Sequence, residues 1–177
     1  MQTSTSHAYD PAEDLVDRLA GLSPESKTYQ TRHERAKVAA ATQGSYNTLF
    51  SPELPGLTLD ERLLVALYAS RLTPSDSLAA HYRERLVESG TEAEWIRVAE
   101  SGEPDQSPTT RLAAMLEFTR KLIRNPVEGD REALLSLTQA GLSTPEVVTL
   151  SQLIAFLSYQ VRLVAGLQAM KALEESV

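Results

Sequence analysis

Apolar residues recur along the chain at intervals of three and four, and no stretch sustains the apolar–polar alternation of a half-buried strand. The pattern predicts helices throughout. Pro11 opens a short one, "PAEDLVDRLAGL", which stops between Gly21 and Ser23. A longer segment from Pro24 to Phe50 is polar in its first half and alanine-rich in its second, and Pro52, Pro55 and Gly56 break it. In "TLDERLLVALYASRL", Thr58 stands as N-cap with Glu61 three residues on, the spacing of a capping box. Asp60 and Glu61 also fall in the first turn, where the helix dipole favours acids. Thr73 and Pro74 punctuate the chain, Pro74 opens "PSDSLAAHYRERLVES", and Gly90 closes it. A short helix around Trp95 precedes a loop from Ser101 to Pro108.

The last third is more regular. "TTRLAAMLEFTRKLIRN" sets Leu112, Met115, Leu116, Phe118, Leu122 and Ile123 on one broad face. "REALLSLTQAGL" is a short helix closed at Gly141, and Ser143 or Thr144 caps the final one, with Pro145 at its first position. From there to about Glu174 the chain is apolar on nearly every side, which predicts a central helix wrapped by the others or by another subunit. The expected fold is a single all-α domain over residues 1–177, of about seven or eight helices. Residues 1–55 form a helical arm and residues 56–177 the core.

Composition narrows the function classes. Of 177 residues, 42% are apolar, enough for a sizeable core, and none is cysteine, so thiol chemistry on the chain's own residues is excluded. A net charge of −7 repels phosphate backbones and argues against nucleic acid as a partner. The first fifteen residues carry no secretory pattern. The longest apolar stretch, "LIAFLSYQVRLVAGL", is interrupted by Gln160 and Arg162 and is shorter than the ~20 residues of a bilayer span. The expectation is a soluble, cytoplasmic protein with no membrane partner. His7, His33 and His81 are too scattered for a metal site, and no motif calls for a cofactor.

Few residues carry candidate chemistry. His81 borders the apolar stripe of Leu78, Ala79, Tyr82 and Leu86, and reads as a half-buried structural histidine or as a general acid/base. Ser77 lies one turn before it, without the G-x-S-x-G turn or third orienting group of a nucleophile. Arg162, in the most apolar helix, needs a carboxylate or several carbonyls around it. It reads as a structural ion pair, as an exposed edge, or as an anion-binding residue in a cavity lined also by Tyr68, Tyr159 and Gln160. Trp95 reads as packing. "TRHER" at 31–35 reads as a solvated helix face or a subunit contact.

Three pieces in order carry a family resemblance: "DERLLVALYASRL" running into "LAAHYRERLVESGTEAEW"; "RLAAMLEFTRKLIRNP" followed by "AGLSTPEVVTLSQLIAF"; and "SYQVRLVAGLQAM". From about Leu59 to Met170 the chain resembles the carboxymuconolactone decarboxylase and alkylhydroperoxidase D superfamily, with the first 55 residues similar to the arm of its longer, peroxidase-related branch. The resemblance implies an alkylhydroperoxidase D-like helical bundle and a homo-oligomer, a dimer or higher, with a cysteine-bearing relative as another candidate partner. It also implies a Cys-x-x-Cys-x-x-x-His site with a glutamate upstream. Counting back from His81 places the two redox positions on Ser77 and Pro74, and the glutamate position on Arg62, one residue from Glu61. The family's fold is therefore expected without its peroxidase chemistry. The first expectation is an oligomeric binding or assembly protein. The alternative is a thiol-independent, decarboxylase-like enzyme on a small carboxylate, with His81 moving the proton, Glu61 assisting and Arg162 holding the substrate. A peroxidase-related oxidoreductase is the third.

Overall fold

Side-chain caps set most of the helix starts. Asp14 accepts from Asp17 N at 3.0 Å and begins α1 (Leu15–Ala20), the proline-led segment before it forming only a 3-10 turn, Pro11–Glu13. Ser26 begins α2 (Lys27–His33), and α3 (Ala36–Leu49) follows after a break at Glu34 and Arg35. The predicted capping box is present at α4 (Leu59–Leu72): Thr58 Oγ1 accepts from Glu61 N at 3.1 Å, and Glu61 Oε2 from Thr58 N at 2.8 Å. α5 (Asp76–Glu88) starts two residues later than its proline suggests, with Ser75 as cap. α6 (Ala93–Ser101), α7 (Thr110–Arg124) and α8 (Arg131–Gln139) follow the predicted periods, the last two capped by Thr109 and Asp130. α9 (Thr144–Glu175) is a single 32-residue helix.

The computed structural model describes residues 9–176, so His7 lies outside the described residues. It is all-α, with nine α-helices, three 3-10 turns and no strand among the described residues. The chain clusters into two compact units: the described residues up to Thr48 with those from Val164 onward, and Leu49–Leu163.

In the first unit, the "TRHER" segment is solvated only in part: Thr31, Glu34 and Arg35 are exposed, while Arg32 and His33 turn inward. Arg32 reaches the two buried carboxylates of α1 and its cap, at 2.8 Å from Asp17 and 3.1 Å from Asp14, with only 8% of its side chain exposed. His33 Nε2 lies 2.7 Å from Asp17 Oδ2, and the ring packs on Tyr29 with centroids 4.1 Å apart. Burial pushes the Asp17 carboxyl above its ordinary value, while His33 and Arg32 oppose that shift.

In the second unit the central helix is α4, not the apolar α9. Residues 62–70 are buried on every side, and α5, α6 and α7 pack around them. Leu63, Leu64 and Leu67 are 0% exposed, each such burial contributing about 1.5–3 kcal/mol. α9 is long and apolar enough to cross a membrane by length and composition alone, yet only 39% of its most apolar window is buried within the chain.

Candidate functional site

The second unit holds three polar arrangements, each assembled at helix ends. The first lies at the starts of α4, α7 and α9. Arg111 Nε is 2.6 Å from Glu61 Oε1, its Nη2 is 2.6 Å from Glu146 Oε1, and its Nη1 donates to Gly141 O at 3.2 Å. The second oxygen of Glu146 accepts from both the amide and the hydroxyl of Ser143, each at 2.7 Å. Those Ser143 bonds and Arg111 hold the Glu146 carboxyl down at about 2, against the opposing effect of burial. Gly56, at φ +91°, passes so close that a Cβ there would meet Glu146 Cγ at 3.0 Å. Both oxygens of Glu61 are therefore engaged, one by the Thr58 amide and one by Arg111.

The second arrangement surrounds Arg62, which is 0% exposed. Its Nε donates to Leu57 O at 3.1 Å and Thr58 O at 3.2 Å, its Nη2 to Ser51 O at 3.0 Å, and its Nη1 to Leu49 O. Burial, reinforced by the like charge of Arg85, holds this guanidinium below its ordinary value. Arg85 lies over the Phe50 ring at 5.6 Å, and Phe50 packs against Tyr82 at 5.2 Å.

Of the readings open to Arg162, the structure shows the exposed edge. Arg62 is the buried guanidinium caged by carbonyls, whereas Arg162 is exposed and donates to Ser158 O one turn back at 2.7 Å. Arg162 sits on an open face of α9, so its apolar neighbours in sequence do not surround it. Tyr159 is 44% exposed on the same helix, and Gln160 is buried, its Oε1 accepting from the Tyr82 hydroxyl at 2.6 Å. Of the four residues named for a shared cavity, Arg162 and Tyr159 are exposed and Tyr68 and Gln160 are buried. The Gln160 side-chain amide nitrogen is buried and finds no acceptor among the described residues.

Pro74 is exposed ahead of α5, and Ser77 and His81 are half-buried one turn apart on it. Among the described residues no group of three histidine or acidic side chains could hold a metal ion.

The third arrangement was not anticipated as a unit. A cavity of about 660 Å³ opens where α4, α6 and α7 end, lined by Tyr68, Arg71, Leu72, Glu100, Arg120 and Arg124 together with the Ser101–Gly102 turn. Tyr68 is 0% exposed, and its buried hydroxyl has no hydrogen-bond partner among the described residues. Burial pushes this phenol above its ordinary value, against the pull of Arg120 and Arg124. Glu100 is shared between Arg83 at 3.0 Å and Arg71 at 3.8 Å, and Arg120 is gripped by Glu117 at 2.6 and 2.8 Å. The only sequence signal for this cavity is a run of basic residues in the last turns of α4 and α7, which the helix dipole alone would explain.

No protein-family model matches the chain, and no curated protein matches it. The fold itself is shared: the crystal structure of an uncharacterized peroxidase-related protein from Silicibacter sp. TM1040 superposes with a TM-score of 0.68. That match covers 90% of this chain and 93% of the other, at 16% identity.

Proposed function

We propose that the chain is a non-redox relative of the alkylhydroperoxidase D-like proteins, a cytoplasmic homo-oligomer whose fold serves ligand binding and assembly. The observation that carries this reading is the complete absence of cysteine. A thiol peroxidase needs a thiolate to attack the peroxide oxygen and a second sulfur to resolve the product. Pro74 and Ser77 supply neither, and the glutamate position is filled by Arg62, whose donors are consumed by backbone carbonyls.

α9 supports the assembly half. Val148, Ala155 and Tyr159 are all exposed, and with Gln152 and Arg162 they recur at alternating steps of four and three residues. That is the spacing of a helix–helix seam, with the small Ala155 letting a second helix approach closely. An arginine and a glutamine along the seam suit a partly wet protein interface better than lipid. The acid/base alternative at His81 has less support, because Glu61 is committed to Thr58 and Arg111, and Arg162 to its own helix.

Two measurements on the purified chain test the reading. Hydroperoxide consumption with a thiol-regenerating system is expected to equal the protein-free rate, and turnover would sink the non-redox reading. Sedimentation equilibrium is expected to give a dimer or larger species that Ala155→Arg dissociates. A wild-type monomer throughout the concentration range would sink assembly.

A further inference from the structure

We infer that the cavity at the ends of α4, α6 and α7 binds a small organic oxyanion, a carboxylate or a phosphate monoester, with the Tyr68 hydroxyl donating to it and Arg124 balancing its charge. This deepens the binding half of the function proposed above by naming the site and the class of ligand.

Three observations converge on the cavity. Tyr68 is fully buried with an unpartnered hydroxyl, an arrangement that costs about 1–3 kcal/mol unless something occupies the missing hydrogen bond. A phenol protonated at neutral pH has a proton to donate, and Tyr68 borders the cavity with Arg120 and Arg124 close enough for their charge to act on its hydroxyl, so a ligand that displaces those arginine side chains reaches it. The charge of the lining favours an anionic acceptor: three arginines face one carboxylate, Glu100, and that carboxylate is already shared by Arg71 and Arg83. Arg120 is engaged by Glu117, while Arg124 makes no ion pair among the described residues and stands available. This concentration of positive charge occurs on a chain of net charge −7. Finally, about 660 Å³ suits a small organic molecule more than a bare ion, and Leu72 with the arginine stems gives it apolar wall.

The competing explanation is that the arginines merely complement the negative ends of the helices on which they stand. It accounts for Arg71 and Arg124, Arg120 being held by Glu117, and leaves the Tyr68 hydroxyl unexplained. The two explanations part at Tyr68→Phe. If the hydroxyl serves a ligand, the unliganded variant keeps or raises its melting temperature, since an unsatisfied group has been removed, and it binds the ligand less well. A melting temperature that falls would show that the hydroxyl has a partner inside the protein, and would overturn the proposal.

Calorimetric titration with benzoate and with phenyl phosphate, matched in their ring, reads binding directly. One-to-one binding of either is expected, weakened about tenfold by Tyr68→Phe and by Arg124→Ala, and unaltered by Arg97→Ala, which changes an exposed arginine that does not line the cavity. Preference for benzoate assigns the site to carboxylates, and preference for phenyl phosphate to phosphate monoesters. Absence of binding at about 10 mM of both probes, a level that would detect millimolar affinity, overturns the proposal. So does equal weakening by Arg97→Ala and Arg124→Ala, which marks diffuse attraction. Sedimentation of the same samples separates the two readings: an oligomer that binds neither probe fails this inference alone, and a monomer that binds one fails only the assembly reading.

Discussion

A guanidinium whose four acceptors are all main-chain oxygens is an uncommon use of arginine in a helical core, and Arg62 makes the chain depend on one side chain for the backbone between Leu49 and Thr58. Removing the side chain takes the donors from those carbonyls, most of them partly buried, and leaves a void beside α4. Arg62→Met is expected to destabilise the fold by about 3–5 kcal/mol, read as a lower urea midpoint at unchanged m. A loss below about 1 kcal/mol would show the cage to be dispensable. The sequence does not reveal this residue. Arg62 stands at the first turn of an amphipathic-looking segment beside two acids, where arginine is ordinarily a surface group. Burial becomes visible only once the preceding loop is seen to fold back. Arg162 leaves several readings open in the sequence, because hydropathy along one helix records its own apolarity and nothing about which neighbours cover it.

At the scale of elements, the starts of α4, α7 and α9 are joined through Arg111, with Glu61 and Glu146 each serving as a cap and as half of an ion pair. The capping box at Thr58 was legible from spacing alone, and Ser143, named with Thr144 as a cap of the last helix, has Glu146 at the same spacing. The arginine linking them was not legible, since Arg111 lies 50 residues from one partner and 35 from the other. A pH dependence follows from Glu146. Its carboxyl titrates at about 2 in the folded chain against an ordinary 4.5, so the folded state binds that proton less readily than the unfolded one. The stabilisation is fully present above pH 4.5 and is lost as pH falls through 2. Glu146→Gln, which keeps a capping group but no charge, is expected to cost about 1 kcal/mol at pH 7. Its stability should then vary less than the wild type's across that acid window in pH-dependent urea melts. An acid limb identical in the two proteins would contradict the assignment.

For the whole molecule, helical class, most helix limits and the near-absence of reactive groups could be read from the sequence, because periodicity, caps and cysteine count are local properties. What could not be read is how the helices share the core. α4 was concealed as the central helix by its charged first turn, and the apolarity of α9 on every side does not say which sides the chain itself covers. Proline and glycine between Pro52 and Gly56 suggest a boundary there, whereas the units divide between Thr48 and Leu49, and the second half of α9 belongs with the N-terminal helices. One consequence concerns proteolysis. Pro52, Glu53, Pro55 and Gly56 are exposed, directly after the point where the chain passes from one unit to the next, the kind of stretch that proteases usually open first. To enter a protease cleft this stretch must extend, and extension strips Arg62 of its acceptors. The same side chain that closes the loop thus makes an apparent linker resistant to nicking, and survival of the 49–58 segment under a glutamate-specific protease reports on the integrity of α4.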